Sequence, residues 1–216
     1  MPTMCLYMAP GSCSTAIHII LEELEEVFQV IVVNLPAGEN RRPDYLAINP
    51  RGTIPSLRLK DGSVLTELVD IAVWLGRHGR RGAFWPADPL LQARAMSIMS
   101  HVTLVIHGEG FARVFVAGAF SRQGPESQVV RQGKAFAAQG LEEVCEMMVR
   151  EGYALGVFSV VDPVLFYVCF WADKTGVPLP PRLLEHYRLM LARPAVDRVL
   201  REEGYNPARL GLPPAG

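Results

Sequence analysis

A proline stands inside an otherwise strand-like run, Thr53-Ile54-Pro55-Ser56-Leu57, and it restricts the fold more than any other residue of the chain. Proline has no N–H to give to a sheet ladder, so it is excluded from central strands and marks an edge, a bulge or a cis peptide. A cis bond before Pro55 turns the N–H and C=O of Ile54 outward, where a short extended peptide can pair with them as an added strand. Glu67, two residues beyond Leu65, would then offer its charge to the amine of such a peptide. The alternative is an ordinary X-Pro turn between two strands.

Around this proline the first 78 residues alternate in type. A strand over 3–8 leads to a helix over 13–24 and then to a strand over 29–33, where Val30, Ile31, Val32 and Val33 are β-branched. After a loop with Pro36, Gly38 and Pro43, a short helix is expected near Tyr45-Leu46. Strands over 56–59 and 63–65 follow, joined by Lys60-Asp61-Gly62, and Asp-Gly is a hairpin turn signal. A helix from 67 to about 77 completes the order βαβαββα. Its last two strands must be antiparallel, because only a turn joins them.

The first strand-to-helix junction carries the second chemical feature. Met4-Cys5-Leu6-Tyr7-Met8 ends at Pro10-Gly11, and Ser12-Cys13-Ser14 opens a helix whose Ile17, Ile20, Leu21 and Leu24 fall at i, i+3, i+4 and i+7. Cys13 therefore sits at a helix start, where unpaired N–H groups and the positive end of the dipole favour a thiolate and lower a thiol pKa. A small buried hydrophobe is the other reading of a lone cysteine, and helix capping the other reading of Ser12 and Ser14.

With 216 residues, 50% of them hydrophobic and 20% charged, the chain can bury a sizeable core as one large or two small domains. A formal net charge of −1 gives no electrostatic reason to expect nucleic acid or an anionic membrane as partner. Cys5, Cys13, Cys145 and Cys169 form no CxxC pair and no metal-ligand spacing, so no dithiol motif and no metal are expected, and a reducing, cytoplasmic setting fits. The N-terminus lacks a basic region followed by an apolar stretch. The apolar run over 160–171 is broken by Asp162 and Pro163 and is too short to span a bilayer.

Residues 79–88, rich in glycine, proline and arginine, read as a linker between a domain over 1–78 and a helical one over 89–216. Pro89 stands near the start of a long helical segment running through Leu104 and Ile106, and a second helix places Leu141, Val144, Cys145 and Met148 at i, i+3, i+4 and i+7. A third opens at Ser159-Val160-Val161-Asp162, a capping-box pattern with aspartate in place of the usual Glu or Gln. Val164, Leu165, Phe166, Val168, Phe170 and Trp171 make that helix the expected core of the domain. Later helices are expected over 182–191 and 195–203, with an irregular tail over 206–216.

In order, Ala9-Pro10-Gly11-Ser12-Cys13-Ser14, Tyr45-Leu46-Ala47-Ile48-Asn49-Pro50-Arg51-Gly52, Ile54-Pro55, Leu65-Thr66-Glu67 and the Ser159/Asp162 box span nearly the whole chain. In this order they resemble the cytosolic glutathione transferase family, and within it the bacterial β-class-like members. The resemblance implies a thioredoxin-like N-terminal domain, an all-helical C-terminal domain and a homodimer with its active site between domains. It also implies that Ile54 pairs with the cysteinyl backbone of glutathione, that Thr53 and Ile54 form the edge beside a cis Pro55, and that Glu67 meets the α-amine. The N–H of Leu68, at a helix start, receives the γ-glutamyl carboxylate. Cys13 or Ser14 lies beside the glutathione thiol, and catalysis of its addition to a small hydrophobic electrophile needs little beyond the thiolate. His107 is placed near that thiol, with Phe111 and Phe115 as apolar lining; a histidine satisfied on a helix face is the equal alternative.

The chain departs from the family pattern at four ligand positions. Leu68 stands where a serine also binds the γ-glutamyl carboxylate, Thr53 where the β class has glutamine, Met8 where it has tyrosine, and Pro36 where a lysine is common, with Arg41 or Arg42 as replacements for that lysine. Loss of one charge-assisted hydrogen bond is worth about 1.5–3 kcal/mol, roughly ten- to a hundredfold in affinity. Two functions therefore follow: a glutathione transferase, with peroxidase, thiol-transfer, isomerase or dehalogenase chemistry as variants, or a protein that keeps the fold but binds glutathione weakly or not at all and has a non-catalytic role.

Overall fold

The structure is a computed structural model that describes residues 3–79, 84–121 and 124–211. Part of the expected linker, 80–83, and the end of the expected tail, 212–216, lie outside the described residues. In chain order the elements are β1 (Met4–Met8), α1 (Thr15–Glu23), β2 (Phe28–Val32), α2 (Pro43–Leu46), β3 (Ser56–Arg58), β4 (Val64–Leu65), α3 (Leu68–His78), α4 (Pro89–His101), a π-helix (Val102–Phe111), α5 (Ala112–Phe115), α6 (Ala117–Phe120), α7 (Glu126–Met147), α8 (Val161–Thr175), α9 (Pro181–Leu191) and α10 (Pro194–Glu202). They form two compact units, Met1–Trp85 with Arg193–Pro207, and Pro86–Ala192 with Ala208–Gly216.

The first unit is built on a sheet of order β2-β1-β3-β4. The wholly apolar β1 is central and buried at every position. It runs parallel to β2, with Leu6 opposite Val30, and antiparallel to β3, with Leu6 opposite Leu57. A parallel neighbour requires a crossover, and α1 supplies it. The Asp61-Gly62 turn closes the antiparallel β3–β4 pair; Gly62 has φ +91° and Asp61 Oδ1 accepts the Ser63 N–H at 2.9 Å. Side chains alternate along β1, so Cys5 and Tyr7 share one face. There they pack with Val33 and with Tyr45 of α2. Helices α1 and α3 bury Ile17, Ile20 and Leu21, and Ile71 and Leu75, respectively.

Helix α10 belongs to this unit and lies on α1. Arg193 grips Glu23 with two bonds of 2.5 and 2.7 Å, Arg198 holds Glu22 at 2.6 Å, and Val196, Val199 and Leu200 are fully buried.

In the second unit α8 is the core element, buried continuously from Val161 to Ala172. Its start is the capping box read from the sequence: Asp162 Oδ2 accepts the Ser159 N–H at 2.8 Å, and Ser159 Oγ accepts the Val161 N–H at 3.3 Å. Pro163 sits in the first turn, where its missing N–H leaves no hydrogen bond unmade. The long segment after Pro89 is helical throughout, and ten of its residues, Val102–Phe111, are wound as a π-helix. Glycines let this segment approach α7 closely: a Cβ on Gly110 would lie 2.8 Å from Ala137, and one on Gly140 would lie 2.8 Å from Ile106. No helix among the described residues is long and apolar enough to cross a membrane.

Candidate functional site

The Ile54–Pro55 peptide is cis. It sits at a corner just before the paired part of β3, and buried side chains fix that corner from behind. Tyr45 donates its hydroxyl to the Thr53 carbonyl at 2.6 Å, and Asn49 Nδ2 donates to the same carbonyl at 2.8 Å and to Thr53 Oγ1 at 3.1 Å. Asn40 Nδ2 holds the Gly52 carbonyl at 2.7 Å. Gly52 is required there: its φ is +64°, and a Cβ would lie 2.7 Å from the Asn40 carbonyl oxygen. With Thr53 O turned inward, the next peptide is left for other partners. The Ile54 N–H has no partner among the described residues, and Ile54 O accepts only the Cys13 thiol, at an Sγ···O distance of 3.7 Å.

Cys13 precedes α1 on a loop that is tied at several points. Ser14 Oγ accepts the Ala9 N–H at 3.1 Å, donates to the Ala9 carbonyl at 3.2 Å and lies 2.5 Å from Ser12 Oγ, which itself accepts the Ser14 N–H at 3.1 Å. Ser14 is fully buried and its hydroxyl is committed to this loop. Gly11 has φ +69°, and any Cβ would fall 2.0 Å from the Tyr205 hydroxyl. The expected lowering of the Cys13 pKa is reversed. Burial pushes the thiol up to about 12, Glu67 adds to the rise, and the Cys13 and Ser14 N–H groups at the helix start oppose it without prevailing. The dipole argument takes no account of desolvation, and Cys13 is only 8% exposed. At neutral pH this residue is a protonated thiol, a hydrogen-bond donor rather than a nucleophile.

Glu67 and Leu68 meet at the start of α3. Glu67 occupies the N-cap position, but its side chain caps nothing. Its exposed carboxylate pairs instead with Arg51, Nη1 to Oε1 2.6 Å. Leu68, the first helical residue, turns its side chain into the core at 7% exposure and contributes no polar atom beyond its backbone. The first-turn amides of α3 have no intrahelical acceptor. Sequence reasoning took Arg51 as part of a motif without a role. The arginine is near Glu67 only because the cis corner and the helix start are neighbours in space, and no local spacing reveals that. The same holds for Tyr45 and Asn49, whose carbonyl anchoring has no signature beyond the motif itself.

The structure thus brings Cys13, Ser14, Thr53, Ile54, Pro55, Glu67 and Leu68 together in the first unit. His107 belongs to the second, on the π-helix. Its Nδ1 is 3.3 Å from the Tyr167 hydroxyl and its ring meets Trp171 edge-on, with centroids 4.9 Å apart. Burial pushes its pKa down to about 4, so the imidazole is neutral at physiological pH. Phe111 stacks with Phe115, and both meet Trp171 edge-on. Phe111 is buried whereas Phe115 is half exposed.

A mixed four-stranded sheet with a cis-proline corner facing a cysteine at a helix start defines a thioredoxin-like domain, here followed by a helical region. Residues 11–78 match the family profile described as the glutathione S-transferase N-terminal domain. The chain is 30% identical over 208 residues to glutathione S-transferase GstA of Escherichia coli O157:H7, covering 93% of this chain and 99% of that protein. It is 30% identical over 195 residues to maleylacetoacetate isomerase of Pseudomonas aeruginosa, covering 88% and 90%. A solved structure of a glutathione transferase homologue from Sulfitobacter, with bound glutathione, superposes with a TM-score of 0.87 at 31% identity, covering 95% of this chain and all of that one. The chain belongs to the glutathione S-transferase family.

Proposed function

We propose that the protein is a glutathione transferase that adds the glutathione thiolate to small hydrophobic electrophiles. The observation that carries this reading is the outward peptide of Ile54 beside cis Pro55, with the Cys13 thiol on its carbonyl. Glutathione is an extended tripeptide, and its cysteinyl N–H and C=O match the Ile54 C=O and N–H as one added rung of β3. Glu67 takes the α-amine in exchange for, or together with, Arg51, and the Leu68 N–H takes the γ-glutamyl carboxylate. In this reading residues 1–78 bind glutathione and residues 89–216, with His107, Phe111 and Phe115, shape the electrophile pocket. Two copies of the chain form the working dimer, which chromatography with light scattering should show at twice 23.8 kDa.

The chemistry asked of the protein is modest. The bound thiol gives its proton to solvent water and its sulfur bonds to the electrophilic carbon. In a substitution the bond from that carbon to the leaving group breaks and the anion departs, and in an addition the adduct takes a proton from water. Cys13, held protonated, serves this step as a donor: its S–H, on a long 3.7 Å contact to Ile54 O, turns from that carbonyl to the glutathione sulfur and stabilises the anion relative to the thiol. Ser14 is a poorer candidate, since its hydroxyl is already used by Ala9 and Ser12. The Sulfitobacter relative's bound glutathione supports the ligand assignment. The test is titration with glutathione by calorimetry, followed by turnover of a model aryl halide. Saturable binding is expected, with Cys13→Ala raising the pH at which the rate reaches half its plateau and Cys13→Ser changing it less. Absence of heat and of thermal stabilisation at millimolar glutathione would overturn the reading.

A second reading is favoured by two observations. Leu68 offers no hydroxyl to the γ-glutamyl carboxylate, and Arg51 already occupies Glu67. A chain of this kind binds glutathione weakly and has either a non-catalytic role or a specialised one, and the similarity to maleylacetoacetate isomerase makes cis–trans isomerisation the first such activity to assay.

A further inference from the structure

His18 is an almost fully buried histidine in the middle of α1, 3% exposed, whose two ring nitrogens have opposite circumstances. Nδ1 lies 2.9 Å from Glu203 Oε1. Glu203 is itself buried, and its Oε2 accepts the Gly11 N–H and the Thr15 hydroxyl, both at 2.7 Å. A carboxylate so placed is an acceptor on both oxygens, so the imidazole donates its proton at Nδ1. Nε2 is then the ring atom left to meet a ligand. It is buried and makes no hydrogen bond. Its neighbour is Glu202 of α10, with Oε2 3.3 Å away, and Glu22, one helical turn on along α1, completes a group of three. One ligand atom from each of the three lies within 4.8 Å of the others.

We propose that His18, Glu22 and Glu202 bind one first-row divalent cation, with zinc the best fit, and that Glu203 orients the histidine for it. Three lines of argument converge. A buried nitrogen without a hydrogen bond is rare and costly, and a metal between Nε2 and the Glu202 carboxylate satisfies both. A carboxylate on the far nitrogen of a ligating histidine is the usual means of fixing its tautomer and raising its basicity. Four ligands about 2.0–2.1 Å from a tetrahedral zinc lie ~3.3 Å apart, and His18 Nε2 is 3.3 Å from Glu202 Oε2. The Phe28 ring meets the imidazole edge-on, centroids 5.7 Å apart, which holds its plane. Glu202 is half exposed, which gives an ion a way in and leaves room for water as the remaining ligand. One imidazole and two carboxylates suit zinc, manganese or nickel better than a soft ion. Glu22 also pairs with Arg198, which sits behind the metal ligand as Glu203 does behind the histidine.

Sequence spacing gave no hint of this group. His18 and Glu22 are an i, i+4 pair, but the third ligand comes from the far end of the chain, and the expectation of no metal rested on cysteine spacing alone. The site ties α10 to the helix that opens at Cys13, and it is independent of the glutathione reading.

The test uses the full chain, stripped of metal and titrated with zinc chloride by calorimetry under reducing conditions. Expected are one zinc per chain, a raised melting temperature, and X-ray absorption showing nitrogen and oxygen neighbours at about 2.0–2.1 Å without sulfur near 2.3 Å. Glu202→Gln and Glu22→Gln should each weaken binding at least about tenfold, and His18→Gln should abolish it. If His18→Gln fails to fold, the two glutamate variants decide. No heat at micromolar zinc, a sulfur shell, or isotherms unchanged in both glutamate variants would overturn the proposal, leaving His18 as a buried histidine in contact with Glu202 and Glu203.

Discussion

At Leu68 two effects of one side chain pull in opposite directions, and substitution separates them. Leu68→Ser supplies a hydroxyl at the first position of α3 for the γ-glutamyl carboxylate, so glutathione affinity should rise about tenfold or more, as a hydrogen bond to a charged group is worth about 1.5–3 kcal/mol. The same change removes a buried apolar side chain, so the melting temperature should fall. Calorimetry and thermal melting read the two effects separately, and unchanged affinity would mean that another group already holds the carboxylate. His107 carries a pH prediction. Its folded pKa is depressed from 6.5 to about 4 by burial, so only the unfolded chain takes up the proton in that window. Stability contributed by the neutral ring is present above pH 6.5 and is lost as pH falls through the window, by about 1.4 kcal/mol for each pH unit. Urea unfolding should show the protein losing stability relative to His107→Leu between neutrality and about pH 5. At this scale the sequence identified the residues better than their electrostatics. Pro55, Glu67 and Cys13 stand in one unit, but the Cys13 shift has the sign opposite to that expected of a helix start, because dipole position is local in sequence and burial is not.

At the scale of elements, the capping box of α8 was legible because its four residues are contiguous, whereas what Asp162 does beyond them was not. Its Oδ1 also accepts the Ala154 N–H at 2.8 Å and lies 2.9 Å from His186 Nε2, so one carboxylate joins a loop, the start of α8 and the middle of α9. Asp162→Ala would leave these donors buried and unpaired. We expect a loss of about 3–5 kcal/mol in chemical denaturation, well above the cost of an ordinary cap. The π-helix is the counterexample. The helical pattern through Leu104 and Ile106 does not reveal its winding, and Gly110 on one side and Gly133 and Gly140 of α7 on the other have meaning only once the two helices are seen together. Wider π-type turns inside helices are frequent at functional sites, and here the π-helix carries His107.

For the molecule as a whole, the decisive feature is that the chain returns. A helix over 195–203 was legible in its pattern, and α10 spans Pro194–Glu202, but nothing local says that its partner is α1 near the other end of the sequence. The partnership is both apolar and ionic: Val196, Val199 and Leu200 are buried, Arg193 and Arg198 pair with Glu23 and Glu22, and Glu203 accepts from Gly11, Thr15 and His18. Glu203 thereby touches the loop that presents Cys13. If stability is partitioned as the two compact units divide the chain, damage to α10 should appear in the first unit and spare the core of the second. Leu200→Asp buries an uncompensated carboxylate against α1, a change expensive enough to loosen the unit without altering α8. Hydrogen exchange followed by mass spectrometry should show faster exchange across residues 4–8 and 15–23 and unchanged protection across 161–175. Equal loss in α8 would mean that the chain unfolds as one cooperative body and that α10 stabilises all of it. Protection unchanged in both would mean that the α1–α10 contact adds nothing to the stability of the first unit.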